Sequence, residues 1–301
     1  MEPHIAADAE FLGLVRHDHG DHFHFVVENR LARLDGRLYG GTAIAVSIAA
    51  AEQVTERSSL WMTTQFVSTV GEGTEIAVHV EVLAPGRRTN QVRVTGTSPS
   101  GDVVFASLGA TGHHRDGGLA GEFENCPDVT PPSDGESWQS PFTGMAQGTG
   151  AELRLPPLPR GVGFTTVIEL RSAEIRRHPD PGPGRVCLWV RRKDRAPITP
   201  ALASYVADMV PMSVARACGV MALGTSLDNS IRIGSFDDQD PGEGWVLLDL
   251  RPHLAVGDYG HGTAHVWSEQ GRLMATASQT AAMRPIDPDQ VPWANAPTTP
   301  G

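Results

Sequence analysis

The sequence predicts an α+β fold in which one structural unit occurs twice, each unit being an antiparallel sheet with one helix lying on it. In each half of the chain, an apolar helical stretch is followed by four strand-like runs. Short connectors separate these runs, which favours antiparallel pairing of consecutive strands. A segment rich in proline, glycine and serine separates the halves and has no sustained period. Together these three observations predict a duplication.

In the first half, an extended segment precedes the helix and four strands follow it. The extended segment covers residues 23–27, and the helix covers residues 41–54. The strands are predicted at residues 60–67, 75–84, 91–97 and 103–111. Because this helix is apolar on nearly all sides, we expect it to be buried.

The second half repeats this order. Residues 166–175 and 186–190 are extended, and a helix covers about residues 200–217. Thr199 is a suitable N-cap for this helix, and Pro200 suits its first position. The strands are predicted at residues 230–236, 245–255, 259–268 and 273–283.

These features divide the chain into four parts. Residues 1–112 form an N-terminal unit and residues 113–163 a linker, followed by a C-terminal unit at 164–285 and a Pro-rich tail at 286–301. Turns at corresponding places support the duplication, since Gly101 and Gly271 each lie between the last two strands of a unit.

The composition is that of a soluble globular protein. The 301 residues are 40% hydrophobic and 20% charged, with a formal net charge of −11. This acidic balance argues against a nucleic-acid partner. The longest apolar run, residues 41–51, is too short to span a bilayer, and the first residues do not resemble a signal peptide. Three cysteines show no metal-ligand spacing. We therefore expect a cytoplasmic protein with no membrane partner.

Gln279 is the most informative residue of the last predicted strand. It occupies an alternate position shared with Ala275, Ala277, Ala281 and Met283. Side chains at alternate positions of a strand share one face, so this pattern places an amide in an apolar wall. A buried amide costs a few kcal/mol unless it is hydrogen-bonded. Gln279 therefore needs a partner there, either a neighbouring group, a water or a ligand.

Asp208 is the single charged residue between positions 196 and 215. Because the surrounding helix is apolar, we expect its carboxylate to be partly desolvated. Pro211 removes a backbone donor and leaves the carbonyl of Ala207 without its usual partner, so the helix should bend or unwind beside Asp208. The alternative is that the acid only holds backbone groups in place.

Hydroxyl and carboxamide groups also cluster in residues 225–230, Thr-Ser-Leu-Asp-Asn-Ser. Taken alone, such a composition is typical of a turn before the next strand, with Asp228 as its cap.

Together, these three regions resemble bacterial acyl-CoA thioesterase II. That family has an Asp on the second-half helix, a Thr in a Thr-x-Asp-x-Ser segment and a Gln on the last strand. The matching positions are Asp208, Ser226 and Gln279, and Ser226 departs from the pattern by replacing Thr. The resemblance covers most of the chain apart from the linker and the tail. It implies a double hotdog fold, in which each antiparallel sheet wraps around a long helix.

The resemblance also implies hydrolysis of acyl-CoA to a free acid and CoA without a cofactor. In this hypothesis Asp208 activates a water that Ser226 and Gln279 position. Two further residues are candidates for substrate binding, Gly41 and Tyr205. Hotdog enzymes polarise the thioester carbonyl with a helix N-terminus, where Gly41 lies. Close packing between helix and sheet is the alternative role for Gly41.

We expect one active site per chain. Aligning the final strands of the two units by their glycine turns places Gly109 opposite Gln279, and residues 43–51 of the first helix contain no carboxylate.

Several alternatives remain open from the sequence. A non-catalytic hotdog module that binds acyl-CoA or another hydrophobic ligand is the main one. A hotdog hydratase is less favoured, because no Asp/His pair has the spacing which that chemistry uses. Histidines at positions 17, 19, 22 and 24 suggest metal binding, although a solvated strand is the preferred reading. Arginines between positions 171 and 195 suggest either a phosphate-facing patch or a solvated strand edge. Association into a homo-oligomer through sheet edges is also open.

Overall fold

The first unit of the chain consists of two helices and six strands. The structure is a computed structural model that describes residues 3–18, 20–113, 117–138, 142–145, 152–155, 158–159, 161–175, 184–236 and 243–287. The helices are α1 (Pro3–Leu12) and α2 (Gly40–Thr55). The strands are β1 (Val15–Arg16), β2 (His22–Val26), β3 (Ser58–Phe66), β4 (Glu75–Ala84), β5 (Thr89–Thr97) and β6 (Val103–Gly112).

The rest of the chain holds a short hairpin and the second unit. The hairpin is formed by β7 (Phe142–Met145) and β8 (Glu152–Leu155). The second unit has helices α3 (Pro200–Ala207) and α4 (Val210–Ala217). Its strands are β9 (Ile168–Ala173), β10 (Val186–Arg192), β11 (Ala222–Ile233), β12 (Val246–Val256), β13 (Tyr259–Ser268) and β14 (Leu273–Pro285).

Twelve strands form one continuous antiparallel sheet. Their spatial order is β1-β2-β4-β5-β6-β3-β11-β14-β13-β12-β10-β9. The two units meet where β3 pairs with β11, at a seam that includes the pair Thr63 and Ser230. The hydroxyl oxygens of these two residues lie 2.7 Å apart. From this seam outwards, both units place their strands in the same order, as expected of a duplication.

The helices lie against the sheet and bury its inner face. Residues 41–52 of α2 are buried without exception, which matches the apolar composition that predicted a central helix. α2 also contacts α3, so the central helices of the two units pack against each other. The Tyr205 hydroxyl on α3 donates to the carbonyl of Arg30 at 2.5 Å, which ties α3 to the short 3-10 helix (Asn29–Leu31) before α2.

The described part of the segment between the units contacts the second unit. Besides the β7–β8 hairpin, its residues Val129 and Ser137 form isolated bridges to Ile175 and Arg171. These bridges hold part of the segment against the outer edge of the second unit. The boundaries drawn at residues 112 and 163 stay a prediction.

The structure confirms the predicted unwinding beside Asp208 and corrects the expectation of a turn at residues 225–230. The helix expected at about 200–217 is two helices, because the chain leaves helical geometry at Asp208 and Met209. Residues 225–230 are not a turn but the middle of strand β11, and a bulge lies between Ser226 and Asp228. The Asp228 carboxylate accepts a hydrogen bond from the backbone N–H of Thr280 at 3.0 Å. The polar residues that suggested a turn therefore accompany a local irregularity of the strand.

Within the described residues, no helix is long and apolar enough to cross a membrane.

Thr199 is predicted to contribute measurably to stability. Its hydroxyl accepts a hydrogen bond from Leu202 N at 3.1 Å and donates one to the buried Asp8 carboxylate at 2.7 Å. Thr199→Ala removes both bonds and should lower the free energy of unfolding by about 1–3 kcal/mol. Thr199→Ser, which keeps the hydroxyl, is the matched control. Urea denaturation followed by circular dichroism measures both variants, and equal losses would contradict the assignment.

Candidate active site

Asp208 lies at the break between α3 and α4. Its backbone has φ −80° and ψ 44°, and Met209 follows with φ −122° and ψ 7°, so neither residue continues the helix. Pro211 occupies the first turn of α4, where its missing N–H leaves no helical hydrogen bond unmade. The predicted unwinding beside the carboxylate therefore occurs, and it places Asp208 on a non-helical corner.

Groups that donate hydrogen bonds surround the Asp208 carboxylate. Its Oδ1 accepts hydrogen bonds from Gln279 Nε2, from Ser226 Oγ at 3.2 Å and, at a long 3.5 Å, from Asn229 Nδ2. Its Oδ2 accepts one from the backbone N–H of Gly41 at 2.9 Å. The three residues inferred from the sequence, Asp208, Ser226 and Gln279, thus meet in space.

The Gln279 amide has a defined orientation. Its Oε1 accepts a hydrogen bond from Val210 N at 3.2 Å, at the first residue of α4. Its Nε2 donates to Ser226 Oγ at 2.7 Å as well as to Asp208. Only 1% of the residue is exposed, so these bonds offset the cost of burying the amide. They supply the partners that the sequence pattern required.

A bulge in β11 allows Ser226 and Asn229 to face the same carboxylate. On a regular strand, residues three positions apart point to opposite faces. The register shifts between Ser226 and Asp228, and both Ser226 and Asn229 then reach Asp208. Asn229 is also the cross-strand partner of Gln279. Sequence reasoning missed Asn229, because the bulge that turns it inwards has no signature in this segment beyond its turn-like composition.

The amino end of α2 closes the site from the other unit. A Cβ atom on Gly40 would lie 2.5 Å from Asp208 Oδ2, and one on Gly41 would lie 2.2 Å from the carbonyl oxygen of Tyr205. Glycine is therefore needed at both positions for the helix end to approach. The positive end of the helix dipole also favours a carboxylate there. In this state the Gly41 N–H binds Asp208, and its role in substrate binding stays a prediction.

Burial raises the pKa of the Asp208 carboxyl to about 7. Hydrogen bonds from Asn229, Ser226 and Gly41 act in the opposite direction, as does the positive charge of Arg33. Desolvation prevails because the carboxylate is enclosed between the two helices and the sheet, with 6% of the residue exposed. The result is a carboxylate that changes protonation near neutral pH, as a general base requires.

Comparison with known proteins identifies the family. A family model described as the acyl-CoA thioesterase C-terminal domain matches residues 124–283, and one described as the N-terminal domain matches residues 30–111. The chain belongs to the acyl-CoA thioesterase family. It is therefore a thioester hydrolase, as the motifs around Asp208 and Gln279 predicted. A search of curated proteins gave no match.

Solved structures of similar proteins confirm the double hotdog fold. A proposed thioesterase from Novosphingobium aromaticivorans is 32% identical, with a TM-score of 0.73 over 89% of this chain and 97% of that chain. A hot dog protein of unknown function from Alicyclobacillus acidocaldarius is 20% identical, with a TM-score of 0.73 over 93% and 99%. An acyl-CoA thioesterase II from Mycobacterium marinum is 16% identical, with a TM-score of 0.69 over 93% and 99%.

Two buried tyrosines, Tyr39 and Tyr205, pack beside the site of this thioesterase. The Tyr39 hydroxyl donates to the backbone carbonyl of Asp208 at 3.2 Å, and its ring contacts Tyr205 edge-on at 5.1 Å. Burial raises the pKa of both phenols well above the usual range, so both stay protonated. Because the Tyr205 hydroxyl is bonded to Arg30, Tyr205 acts as a packed support in this state. A substrate contact by Tyr205 stays a prediction.

At equivalent places in the sheet, the first unit of the thioesterase has the apolar pair Gly109 and Met62, and the second has the polar pair Gln279 and Asn229. Gly109 pairs across the sheet with Met62, as Gln279 pairs with Asn229. A Cβ on Gly109 would lie 2.7 Å from the Met62 sulfur, so Met62 fills the space that a longer side chain at position 109 would take. This geometry supports the expectation of one site per chain.

Described arginines between residues 171 and 195 are paired with carboxylates. Arg185 forms two hydrogen bonds to Asp249, at 2.7 and 2.8 Å. Arg191 binds Glu169 at 2.8 Å and Glu243 at 2.7 Å. This pairing offsets much of the positive charge and does not favour a phosphate-facing patch at these arginines. Arg176 and Arg177 lie outside the described residues.

Gly40→Ala should disturb the site while leaving the sheet intact. The added methyl would meet Asp208 Oδ2 at 2.5 Å and the Phe66 ring at 3.0 Å, so the carboxylate must move. If Asp208 takes part in the reaction, thioester hydrolysis should fall by about tenfold or more, because small displacements of a reacting group are costly. Gly71→Ala is the control, since its nearest atom is 3.9 Å away. Thiol release from an acyl-CoA measures both variants, and full activity in Gly40→Ala would show that the close contact is unimportant.

Proposed function

We propose that this thioesterase hydrolyses acyl-CoA with Asp208 as the general base for an attacking water. The observation that supports this role is a buried carboxylate with a pKa raised to about 7 whose neighbours all donate hydrogen bonds. Such surroundings fix the orientation of the carboxylate and keep it basic near neutral pH. Among the described residues, the groups hydrogen-bonded to it are a hydroxyl, two side-chain amides and a backbone N–H, none of which is a base at neutral pH.

Ser226 and Gln279 are proposed to position the water. Both side chains point at Asp208 Oδ1, and they are bonded to each other at 2.7 Å. A water held beside Oδ1 would therefore also lie within reach of the Ser226 hydroxyl and the Gln279 amide. The family Thr restricts its hydroxyl through its methyl group, whereas Ser226 lacks that restriction. In this chain the bond from Gln279 supplies an equivalent constraint on the Ser226 hydroxyl.

The proposed reaction proceeds in two steps. The water oxygen attacks the thioester carbonyl while Asp208 takes a proton from that water. This step gives a tetrahedral intermediate and a protonated Asp208 carboxyl group. Collapse of the intermediate breaks the carbon–sulfur bond, and the Asp208 proton passes to the departing CoA sulfur. The products are a carboxylic acid and CoA, and Asp208 returns to its ionised form. The N–H of Gly41 is the proposed donor to the carbonyl oxygen, released from Asp208 Oδ2 once that carboxyl is protonated.

Replacing the proposed base should remove most of the activity. Asp208→Asn keeps the shape of the side chain but cannot accept the proton, so turnover should fall by about 10²–10⁴-fold. Asp258→Asn is the matched control, because this exposed turn residue has φ 65°, a conformation that Asn also tolerates. Thiol release from a panel of acyl-CoAs gives kcat and KM, and circular dichroism checks that each variant is folded. Near-normal turnover by folded Asp208→Asn would remove the proposed role.

The same panel separates an enzyme from a binding module. Acyl-CoA binding without turnover, unchanged by Asp208→Asn, is the outcome that the module alternative predicts. Comparing acyl groups of different length, branching and ring content would also define the substrate preference.

The rate should depend on pH through Asp208. Because the carboxylate must be ionised to act as base and its pKa is raised to about 7, kcat/KM should increase as the pH rises towards 7. Well below that pKa the increase should be about tenfold per unit, and above it the rate should level off. The measurement is initial rate from pH 5 to 8.5, after subtraction of spontaneous hydrolysis. A profile that is flat across this range would contradict proton transfer to Asp208.

A further inference from the structure

A second cluster of reactive side chains lies far from Asp208 in the sequence, near an edge of the sheet. Asp21, His22 and His79 each offer one metal-binding atom, and these atoms all lie within 4.8 Å of one another. The His22 Nδ1 and Asp21 Oδ1 atoms are 2.7 Å apart, and His79 Nε2 and Asp21 Oδ2 are 3.6 Å apart. The side chains are 66%, 51% and 46% exposed for His22, Asp21 and His79, so an ion in solution can reach them.

The backbone holds these three residues together. His22 on β2 and His79 on β4 are direct partners in the antiparallel ladder, and their rings stack with centroids 4.5 Å apart. The carbonyl of Asp21 accepts a hydrogen bond from Val80 N at 2.9 Å, which extends the same ladder by one step. His22 and His79 are therefore held by the register of paired strands, and Asp21 lies in the bend directly before β2.

We propose that Asp21, His22 and His79 form a binding site for a divalent transition metal of the zinc class. Two imidazoles and a carboxylate are a common ligand set for such ions, with water completing the coordination. In tetrahedral zinc sites the metal–ligand distances place neighbouring ligand atoms about 3.3–3.5 Å apart. The carboxylate contacts His22 through Oδ1 at 2.7 Å and His79 through Oδ2 at 3.6 Å. An ion bound by one carboxylate oxygen and both imidazoles therefore requires side-chain rotations that unstack the two rings.

Charge also favours a cation at this position. Asp21 places a carboxylate beside both histidines, 2.7 Å from His22 Nδ1 and 3.6 Å from His79 Nε2. A divalent metal ion binds neutral imidazole and carboxylate, and it can replace the hydrogen between His22 Nδ1 and Asp21 Oδ1.

A neighbouring histidine pair offers an internal comparison. His24 lies two residues after His22 on the same face of β2, and its Nδ1 is 2.9 Å from His17 Nε2. These two ring nitrogens contact each other directly. Neither His17 nor His24 belongs to the cluster of Asp21, His22 and His79. The histidine pattern at positions 17, 19, 22 and 24 favours a solvated strand over metal binding, and His19 lies outside the described residues. The structure instead favours His22 with His79, from a strand that the local pattern does not include.

An ion at this site would stabilise one edge of the sheet. It would join β2 to β4 through their side chains. On the other side of β2 lies β1, whose two residues pair with only part of β2. A ligand that binds the folded state and not the unfolded state raises stability in proportion to the logarithm of its concentration over Kd. Metal binding therefore predicts a higher melting temperature, independently of any effect on thioester hydrolysis.

The test is titration of the full chain with zinc chloride. The protein should carry no histidine affinity tag and should be freed of metal with a chelator beforehand. Isothermal titration calorimetry should give saturable binding of one zinc ion per chain, and zinc should raise the melting temperature. His22→Gln and His79→Gln should each weaken binding at least about tenfold, since even outer-shell changes cost about 10–100-fold.

Two controls separate this site from other histidines. His253→Gln changes an exposed histidine that contacts His261 at a ring distance of 5.5 Å, and it should leave zinc affinity unchanged. His24→Gln should also have little effect. Absence of saturable binding would overturn the proposal, as would binding that persists in His79→Gln and disappears in His24→Gln. All four histidines are exposed or partly exposed, and circular dichroism confirms that each variant is folded.

Discussion

The buried carboxylate of Asp208 is the constraint on which the surrounding structure depends. A charge taken out of water must be compensated by directed hydrogen bonds, or the fold loses several kcal/mol. The helix break places Asp208 on a non-helical corner, and the glycine pair at the amino end of α2 and the bulge in β11 bring donors towards it. The glycines also allow α2 to pack closely on α3, since a Cβ on Gly41 would meet the carbonyl oxygen of Tyr205 at 2.2 Å. All three irregular features thus serve to bury Asp208 and to hydrogen-bond it.

This constraint also links the two units. Gly41 belongs to the first unit, whereas Asp208, Ser226 and Gln279 belong to the second. The seam between β3 and β11 makes one sheet of the two units, and α2 packs on α3. The position of the helix end relative to the carboxylate is therefore set by the packing between units and not by either unit alone.

Most of the regular helices and strands could be predicted from the sequence. Alternation and short connectors predict most of the expected strands to within a few residues, but β11 begins at Ala222, eight residues before its predicted start. Pro211 indicates where the helix breaks. Gln279 was conspicuous because its neighbours on the strand face are apolar. The segment around Ser226 was misread as a turn, because Ser, Asp and Asn favour turns and bulges for the same reason, hydrogen bonding to nearby backbone. Asn229 and the partnership of His22 with His79 depend on register between strands, which one sequence does not display.

The Gly109–Met62 pair shows that the two units of the duplicated chain differ at equivalent positions. In a symmetric pair of units, every substitution would be made twice, once in each copy. Here the fused chain holds an apolar contact in one unit and a hydrogen-bonded amide at the corresponding place in the other. The two halves can therefore differ at equivalent positions, with close packing in the first and a hydrogen-bonded cluster in the second. The asymmetry of a single chain thus separates two demands that a homodimer must meet with the same residues.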